Sequence, residues 1–362
     1  MKIFRSMAIM FFALATMTSC ATNTEELKDL RPVTENPTTD ERTDEPGSSG
    51  KIVVGYVTSW SGNEVRPEYV THINYAFGSV GNDFKSINIS NEARLKTIVA
   101  LKRVSPALKV LLSIGGWGSG NFSEMAGTAA TREAFAANCR RMVDTYGLDG
   151  IDIDWEYPTS SAAQISSSPE DTRNYTLMMR DIRQAVGKDK LLTLAASCDA
   201  GYIDYKAVLP YIDFINIMDY DMGNPPSHNA PLYASSKHPG WYDCEKSVKA
   251  FLSKGVPATK LVLGMPFYGH GKGSYGNFVD FKDIKVADGC TECWDDEAKV
   301  PFITDKDGNF VLSYDNARSI GLKCDYILSQ GLLGGMFWDD AGDNSSLTLH
   351  KVIAGKLLKK GH

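Results

Sequence analysis

Cysteine is scarce in this chain: seven in 362 residues, too few to build a disulfide scaffold, and no Cys/His spacing repeats as a zinc module would require. Basic charge is not in excess. Lys and Arg number 38 against 44 Asp and Glu, a net charge of −6 with His neutral, so the electrostatic footprint of nucleic-acid binding is missing and no nucleic acid is expected as partner. The apolar run from Met7 to Met17 stops well short of the roughly 20 residues a spanning helix needs. The six histidines, His72, His228, His238, His270, His350 and His362, are scattered, and none shares a motif with a nucleophile. Neither a metal site nor a Ser/His triad is suggested, and no cofactor is expected. What is present is an ordinary globular composition, 43% hydrophobic and 23% charged, which excludes disorder throughout.

The N-terminus reads as a targeting segment. Lys2 and Arg5 precede the apolar run, and small residues lead to Cys20, the layout of a signal peptide. Met17-Thr18-Ser19-Cys20 resembles a bacterial lipobox, in which the cysteine is lipidated and becomes the first mature residue; an ordinary signal peptide that contains a Cys is the alternative. Residues 21–50 carry eight acids and three bases among Thr, Pro, Ser and Gly. Such a stretch buries too little apolar surface to fold and reads as a solvated, self-repelling tether. The expected layout is a lipoprotein signal peptide over 1–19, an acidic disordered tether over 20–50 and a folded domain over 51–362. Cys20 is expected to carry lipid and to hold the protein at a bacterial cell envelope, on the outer membrane or cell surface.

From Lys51 onward, short runs rich in Val, Ile and Leu recur at 52–57, 72–77, 109–114, 150–154, 191–196, 213–218, 260–265 and 332–338. Helix-like spacing fills several gaps, at 91–103, 131–146, 169–186, 243–254 and 314–330. Near-continuous apolar strands alternating with helices predict a parallel sheet, and eight such units predict closure into a (β/α)8 TIM barrel of the α/β class. An open doubly wound sheet would carry a G-x-G-x-x-G turn after the first strand, where Thr58-Ser59-Trp60 stands instead.

In a barrel the chemistry sits at the C-terminal ends of strands, and the fourth strand ends in Asp149-Gly150-Ile151-Asp152-Ile153-Asp154-Trp155-Glu156-Tyr157-Pro158. Alternation along a strand puts Asp152, Asp154 and Glu156 on one face and Ile151, Ile153 and Trp155 on the other. The apolar set is expected under the helices and the acids inside. Three carboxylates about 7 Å apart in a partly dry site repel one another, so at least one holds a proton near neutrality. Glu156, nearest the strand's C-terminal end, is the best placed to donate it. Acids solvated at a strand end, a Mg²⁺ or Ca²⁺ site, and the remnant of a lost active site are the competing readings.

The segment resembles the D-x-x-D-x-D-x-E signature of glycoside hydrolase family 18, the chitinases and related endo-β-N-acetylglucosaminidases, at Asp149, Asp152, Asp154 and Glu156. Further segments resemble the family's strand-end motifs: Ser113-Ile114-Gly115-Gly116-Trp117, Met218-Asp219-Tyr220-Asp221, Gly264-Met265-Pro266-Phe267-Tyr268-Gly269 and Gly335-Met336-Phe337-Trp338. The resemblance implies a substrate-assisted retaining reaction, in which the 2-acetamido oxygen of the sugar attacks C1. It makes Glu156 the general acid and then base, Asp154 the acceptor for the acetamido N–H, Asp152 the buried partner that sets protonation, and Tyr220 the donor to the acetamido carbonyl. Trp338 would floor the sugar, Met218 line the acetyl pocket and Asp221 accept from a hydroxyl. Tyr56 and Ser113 would hydrogen-bond the inner aspartates. Phe77, Gly116, Trp117 and Tyr268 complete the implied substrate-binding set.

By the same resemblance, the substrate is chitin oligosaccharide or another glycan containing N-acetylglucosamine, and a monomer is expected. An endo-acting chitinase is the leading implication. An endo-β-N-acetylglucosaminidase on N-glycan cores is the alternative, and a catalytically silent glycan-binding lipoprotein is weakened by the presence of Glu156. Only residues 269–313 follow strand seven as an insertion, which implies an open groove and internal cleavage. Trp117, Trp241 and Trp294 stand in polar loops and suit either stacking on further sugars or packing under their own loops. Cys290-Thr291-Glu292-Cys293 fits a local disulfide or two free thiols.

Overall fold

The computed structural model describes residues 50–358. The signal-peptide and lipidation expectations, and all of the tether but Gly50, lie outside those residues. Eight strands close into a parallel barrel: β1 (Ile52–Thr58), β2 (His72–Val80), β4 (Lys109–Gly115), β5 (Gly150–Asp154), β6 (Leu191–Ser197), β7 (Ile215–Met218), β8 (Leu261–Pro266) and β14 (Gly334–Trp338), with β3 (Ile87–Ile89) added antiparallel to the end of β2. Closure is made where β1 pairs with both β14 and β2. All eight runs expected from the sequence are barrel strands, within three residues at their ends.

The alternation in the sequence divides the core in two. Val53, Val57, Ile151, Ile153 and Trp155 point outward and pack under the helices. Ile52, Val54, Tyr56, Val262 and Met336 point into the barrel, where they share the interior with Asn74, Asp152, Thr193 and Asn216, all fully buried. The barrel is therefore a filled layer, apolar at its base and polar toward the mouth, rather than a pore.

The helices are α1 (Glu92–Ala100), α2 (Phe122–Ala126), α3 (Ala129–Tyr146), α4 (Asp171–Val186), α5 (Tyr205–Val208), α6 (Cys244–Ser253), α7 (Ala317–Ser329) and α8 (Thr348–Leu357). Their starts are set by short polar side chains: Asn91, Thr128, Asp204, Asp243 and Asn316 each accept from a backbone N–H of the first turn, worth about 1 kcal/mol apiece. A helix does not follow every strand. Between β1 and β2 there is only the 3-10 turn Pro67–Tyr69, because thirteen residues with a proline leave no room for a helix and a return. The terminal helix α8 packs on β1 and β14 instead. Its first turn is tied down by the buried His350, whose Nδ1 lies 2.7 Å from Asp343 Oδ2 and Nε2 3.0 Å from Asp340 Oδ1.

The insertion after β8 is a five-stranded antiparallel sheet, β9 (Tyr268–Gly271), β10 (Val279–Asp280), β11 (Thr291–Asp295), β12 (Val300–Thr304) and β13 (Phe310–Ser313), in the order β10-β9-β13-β12-β11. Asp295 of β11 accepts from Ser235 at 2.6 Å and lies 3.1 Å from His228 Nε2, which fastens the sheet to the long loop after β7. Cys290 and Cys293 are free thiols. Cys293 lies in β11 and Cys290 just before it.

Candidate active site

The site is built outward from Asp152. Its side chain is fully buried and takes four donors: Tyr56 Oη from β1 and Ser113 Oγ from β4 onto Oδ2, both at 2.8 Å, with Thr193 Oγ1 from β6 (2.6 Å) and Asn216 Nδ2 from β7 (3.2 Å) onto Oδ1. The parallel register places Ser113 and Thr193 directly beside Asp152. Four donors fill the four lone-pair positions of a carboxylate. Burial raises the Asp152 pKa, and these four bonds oppose the rise.

Two residues on, Asp154 has no such support. It is 4% exposed and its Oδ1 has no protein partner. Burial, then the neighbouring charges of Glu156 and Asp152, hold its pKa well above the usual carboxylate range. Glu156 is pushed up to about 7 by burial, against a hydrogen bond from Tyr157 and with help from the Asp221 charge. Among the described residues no cation pairs with either group, so the pair retains a proton where an exposed carboxylate would have lost it.

Around these acids lies a cleft of ≈ 330 Å³. Trp338 stacks on Phe77 (centroids 5.6 Å apart, planes at 19°) and is flanked by Tyr56 and Trp60 at 5.6 and 6.5 Å, giving an apolar floor that suits the C–H face of a sugar. Gly116 lies behind this floor rather than in it. At its φ of +91° a Cβ would stand 2.6 Å from the Phe77 ring, so the glycine is what lets Phe77 reach Trp338. Tyr220 stands on the wall, 8% exposed, and the protein contact of its hydroxyl is the Met336 sulfur at 3.9 Å, a weak acceptor that leaves the O–H available. Met218 and Asp221 line the same wall.

Asp221 Oδ1 receives the Tyr268 hydroxyl at 2.6 Å and faces His270 Nε2 at 2.7 Å. Beyond Glu156 the cleft continues into a second lobe of ≈ 500 Å³ walled by Trp117, Tyr157, Asp199, Tyr202 and Trp241, with Tyr157 and Tyr202 stacked at 4.7 Å.

The structure thus gathers Glu156, Asp154, Tyr56, Phe77, Trp117, Met218, Tyr220, Asp221, Tyr268 and Trp338 on one cleft. Asp152, Ser113 and Gly116 act behind it. Trp294 does not reach it: the Arg318 guanidinium covers its ring at 3.7 Å. Sequence reasoning missed Thr193 and Asn216, single polar residues in apolar strands, where the polar type on an inward position was the one signal. It also missed Trp60, Phe278 and His270, of which Trp60 closes the first strand's turn and His270 follows directly on Tyr268-Gly269.

A closed β/α barrel whose interior carboxylate supports two uncompensated acids at the mouth of an aromatic-floored groove defines the class: a barrel protein equipped for acid-base chemistry. Comparison with known proteins narrows it. The family model for glycosyl hydrolases family 18 matches residues 52–343, and the chain belongs to that family. Chitinase A1 of Niallia circulans is 33% identical over 86% of this chain and 59% of its own length. A probable endochitinase of Caenorhabditis elegans is 31% identical over 80% of this chain and 55% of its own. The chain thus spans under two thirds of either relative. The solved structure of a family 18 N-acetylglucosaminidase from Paenibacillus barengoltzii superposes with a TM-score of 0.78 at 35% identity, over 85% of this chain and all of that one.

Proposed function

We propose that residues 51–362 form a chitinase that hydrolyses β-1,4-linked N-acetylglucosamine oligomers with retention, the acetamido group of the substrate serving as nucleophile. The observation that carries this reading is the Asp154 Oδ1: buried, without a protein partner and beside Glu156, it is an acceptor awaiting an N–H donor, which an acetamido nitrogen supplies. Glu156, with a pKa near 7, protonates the leaving oxygen and then takes a proton from water. Asp154 balances the positive charge of the oxazolinium, a charge absent from the ground state, which is where stabilisation accelerates the reaction. Tyr220 donates to the acetamido carbonyl over the Trp338 floor, and Asp221 accepts from a ring hydroxyl.

Lobes on both sides of Glu156 favour internal cleavage of a chain that lies across the groove. Release of single N-acetylglucosamine units is the second reading, supported by the Paenibacillus relative, and cutting of N-glycan cores by the same chemistry is a third. Product analysis on chitin oligomers beside an N-linked glycoprotein separates the three. Proton NMR of the nascent product is expected to show the β-anomer first, with no reaction when the cut-site sugar lacks its N-acetyl group; α-anomer first would overturn the mechanism. We further propose that Cys20 is acylated and residues 20–50 tether the barrel to a bacterial envelope membrane. Mass spectrometry of the mature N-terminus tests this, an unmodified terminus elsewhere rejecting it.

A further inference from the structure

His270 sits on β9 with an acceptor at each ring nitrogen. Nε2 lies 2.7 Å from Asp221 Oδ1 and Nδ1 lies 2.8 Å from the carbonyl oxygen of Asn277. A neutral imidazole has one N–H and would set the other nitrogen's lone pair against an acceptor; the imidazolium donates to both. The ring is also largely enclosed, its side chain 18% exposed, so the unfavourable arrangement could not be relieved freely by water. On the far side of the contact, Asp221 is pinned at three points: Tyr268 and His270 on Oδ1, and its own N–H on Asn229 Oδ1 at 2.9 Å. Its side chain nevertheless stays 61% exposed and borders both lobes of the cleft, with Oδ2 left to meet a ligand.

We propose that His270, as an imidazolium, is the positioning residue that aims Asp221 at the substrate, so that the cleft loses affinity for sugar when the ring gives up its proton. The inference rests on the proposed sugar-cleaving function of the same cleft. The titratable groups that face the ring are Asp221, from the loop after β7, and Tyr268, on its own strand. On the paired strands Ser313 of β13 stands opposite His270 and Asp280 of β10 opposite Tyr268, the latter engaged by Lys282 at 2.8 Å. Lys272, just past the end of β9, bears on Asp305. Burial by itself lowers the His270 pKa, but the bonds to Asp221 and Asn277 outweigh it and the net shift is upward. The charge is therefore present below neutrality and is lost as pH rises through a value above the ordinary 6.5.

Two measurements test this. Nitrogen-15 NMR of the imidazole rings in the intact protein needs no variant: His270 is expected to hold both ring protons at neutral pH and to titrate above its ordinary value, and Asp221→Asn should bring that titration down. Steady-state hydrolysis of a chromogenic N-acetylglucosamine oligomer should show KM rising about tenfold through the same pH range, the value of a charge-assisted contact, while kcat follows Glu156. His270→Gln, which donates without charge, should show the high KM at every pH, and His270→Arg should keep KM low into the alkaline range. A ring with a single proton at neutral pH, or a KM profile unchanged by His270→Gln, would overturn the inference. If no oligomer is cut at any pH the functional reading fails, whereas the ring titration still decides the charge of His270.

Discussion

Two acidic clusters in this molecule are made of the same residue types and do opposite things. At the end of β5, Asp154 and, two residues on, Glu156 share a buried site with no cation among the described residues, and their pKa values rise. After β14, Asp340 and Asp343 hold His350 between them. Burial disfavours the charge on that ring, but the two carboxylate bonds overcome it and carry its pKa up to about 9. Asp343 also accepts from the N–H groups of Leu349 and His350 at 2.9 and 3.0 Å. The second cluster is closed, each charge answered within the fold, and it holds a helix to the barrel. The first is left open, with no such answer among the described residues, and under the proposed mechanism its counter-charge is the cationic intermediate of the substrate itself. Acid count distinguishes nothing here; the presence of an internal cation separates a fastening from a reactive site.

The contrast can be broken most severely at Glu156. Glu156→Gln removes the donor with little change of volume, and kcat should fall by roughly 10² to 10⁴ at unchanged melting temperature; unchanged turnover would remove Glu156 from its role. Asp154→Asn should cost about 10² to 10³ in kcat, with smaller change in KM, because the acceptor matters most once charge has formed. On the closed side, His350→Gln should lower stability by about 3 kcal/mol at neutral to mildly acidic pH. Because the folded pKa of about 9 exceeds the ordinary 6.5, this contribution is complete below pH 6.5 and drains away as pH rises through 9. Denaturant titrations of the two proteins should therefore converge in alkali, and parallel curves would show that the ring is not charged. The smallest effect is expected at Thr193→Val, which deletes one of four donors to Asp152: about 2 kcal/mol in stability, with kcat reduced only severalfold as the other three bonds persist.

Much of this was legible before any coordinates. The barrel strands announced themselves as apolar runs, and the Ile-Asp alternation of 151–154 fixed which face of β5 looks inward. The acids of that strand pointed to Glu156 because strand geometry is local. What was not legible depends on distance. Thr193 and Asn216 lie 41 and 64 residues from Asp152, and nothing in LLTLAA or INIM marks one polar residue as a ligand to a remote carboxylate. His270 likewise acquires its meaning from Asp221, 49 residues away. Strand signals do not report whether the return path between β1 and β2 holds a helix, and the five strands of the insertion are too short and irregular to carry a period.

The Asp152 network also bears on how the chain reaches its native state. Its four donors come from β1, β4, β6 and β7, at sequence separations of 96, 39, 41 and 64 residues. Such contacts are entropically expensive to bring together and belong to slow, late steps of assembly. A half-formed barrel would bury this carboxylate with its hydrogen bonds unmade, at a cost of several kcal/mol, so intermediates should keep that region wet and unlatched. Tyr56, whose strand pairs with both ends of the barrel, spans the largest of these separations and is the costliest of the four to bring in. In a refolding time course, helix signal should then recover early and hydrolytic activity only with the final ring closure, the buried acid acting as a proofreader of barrel completion.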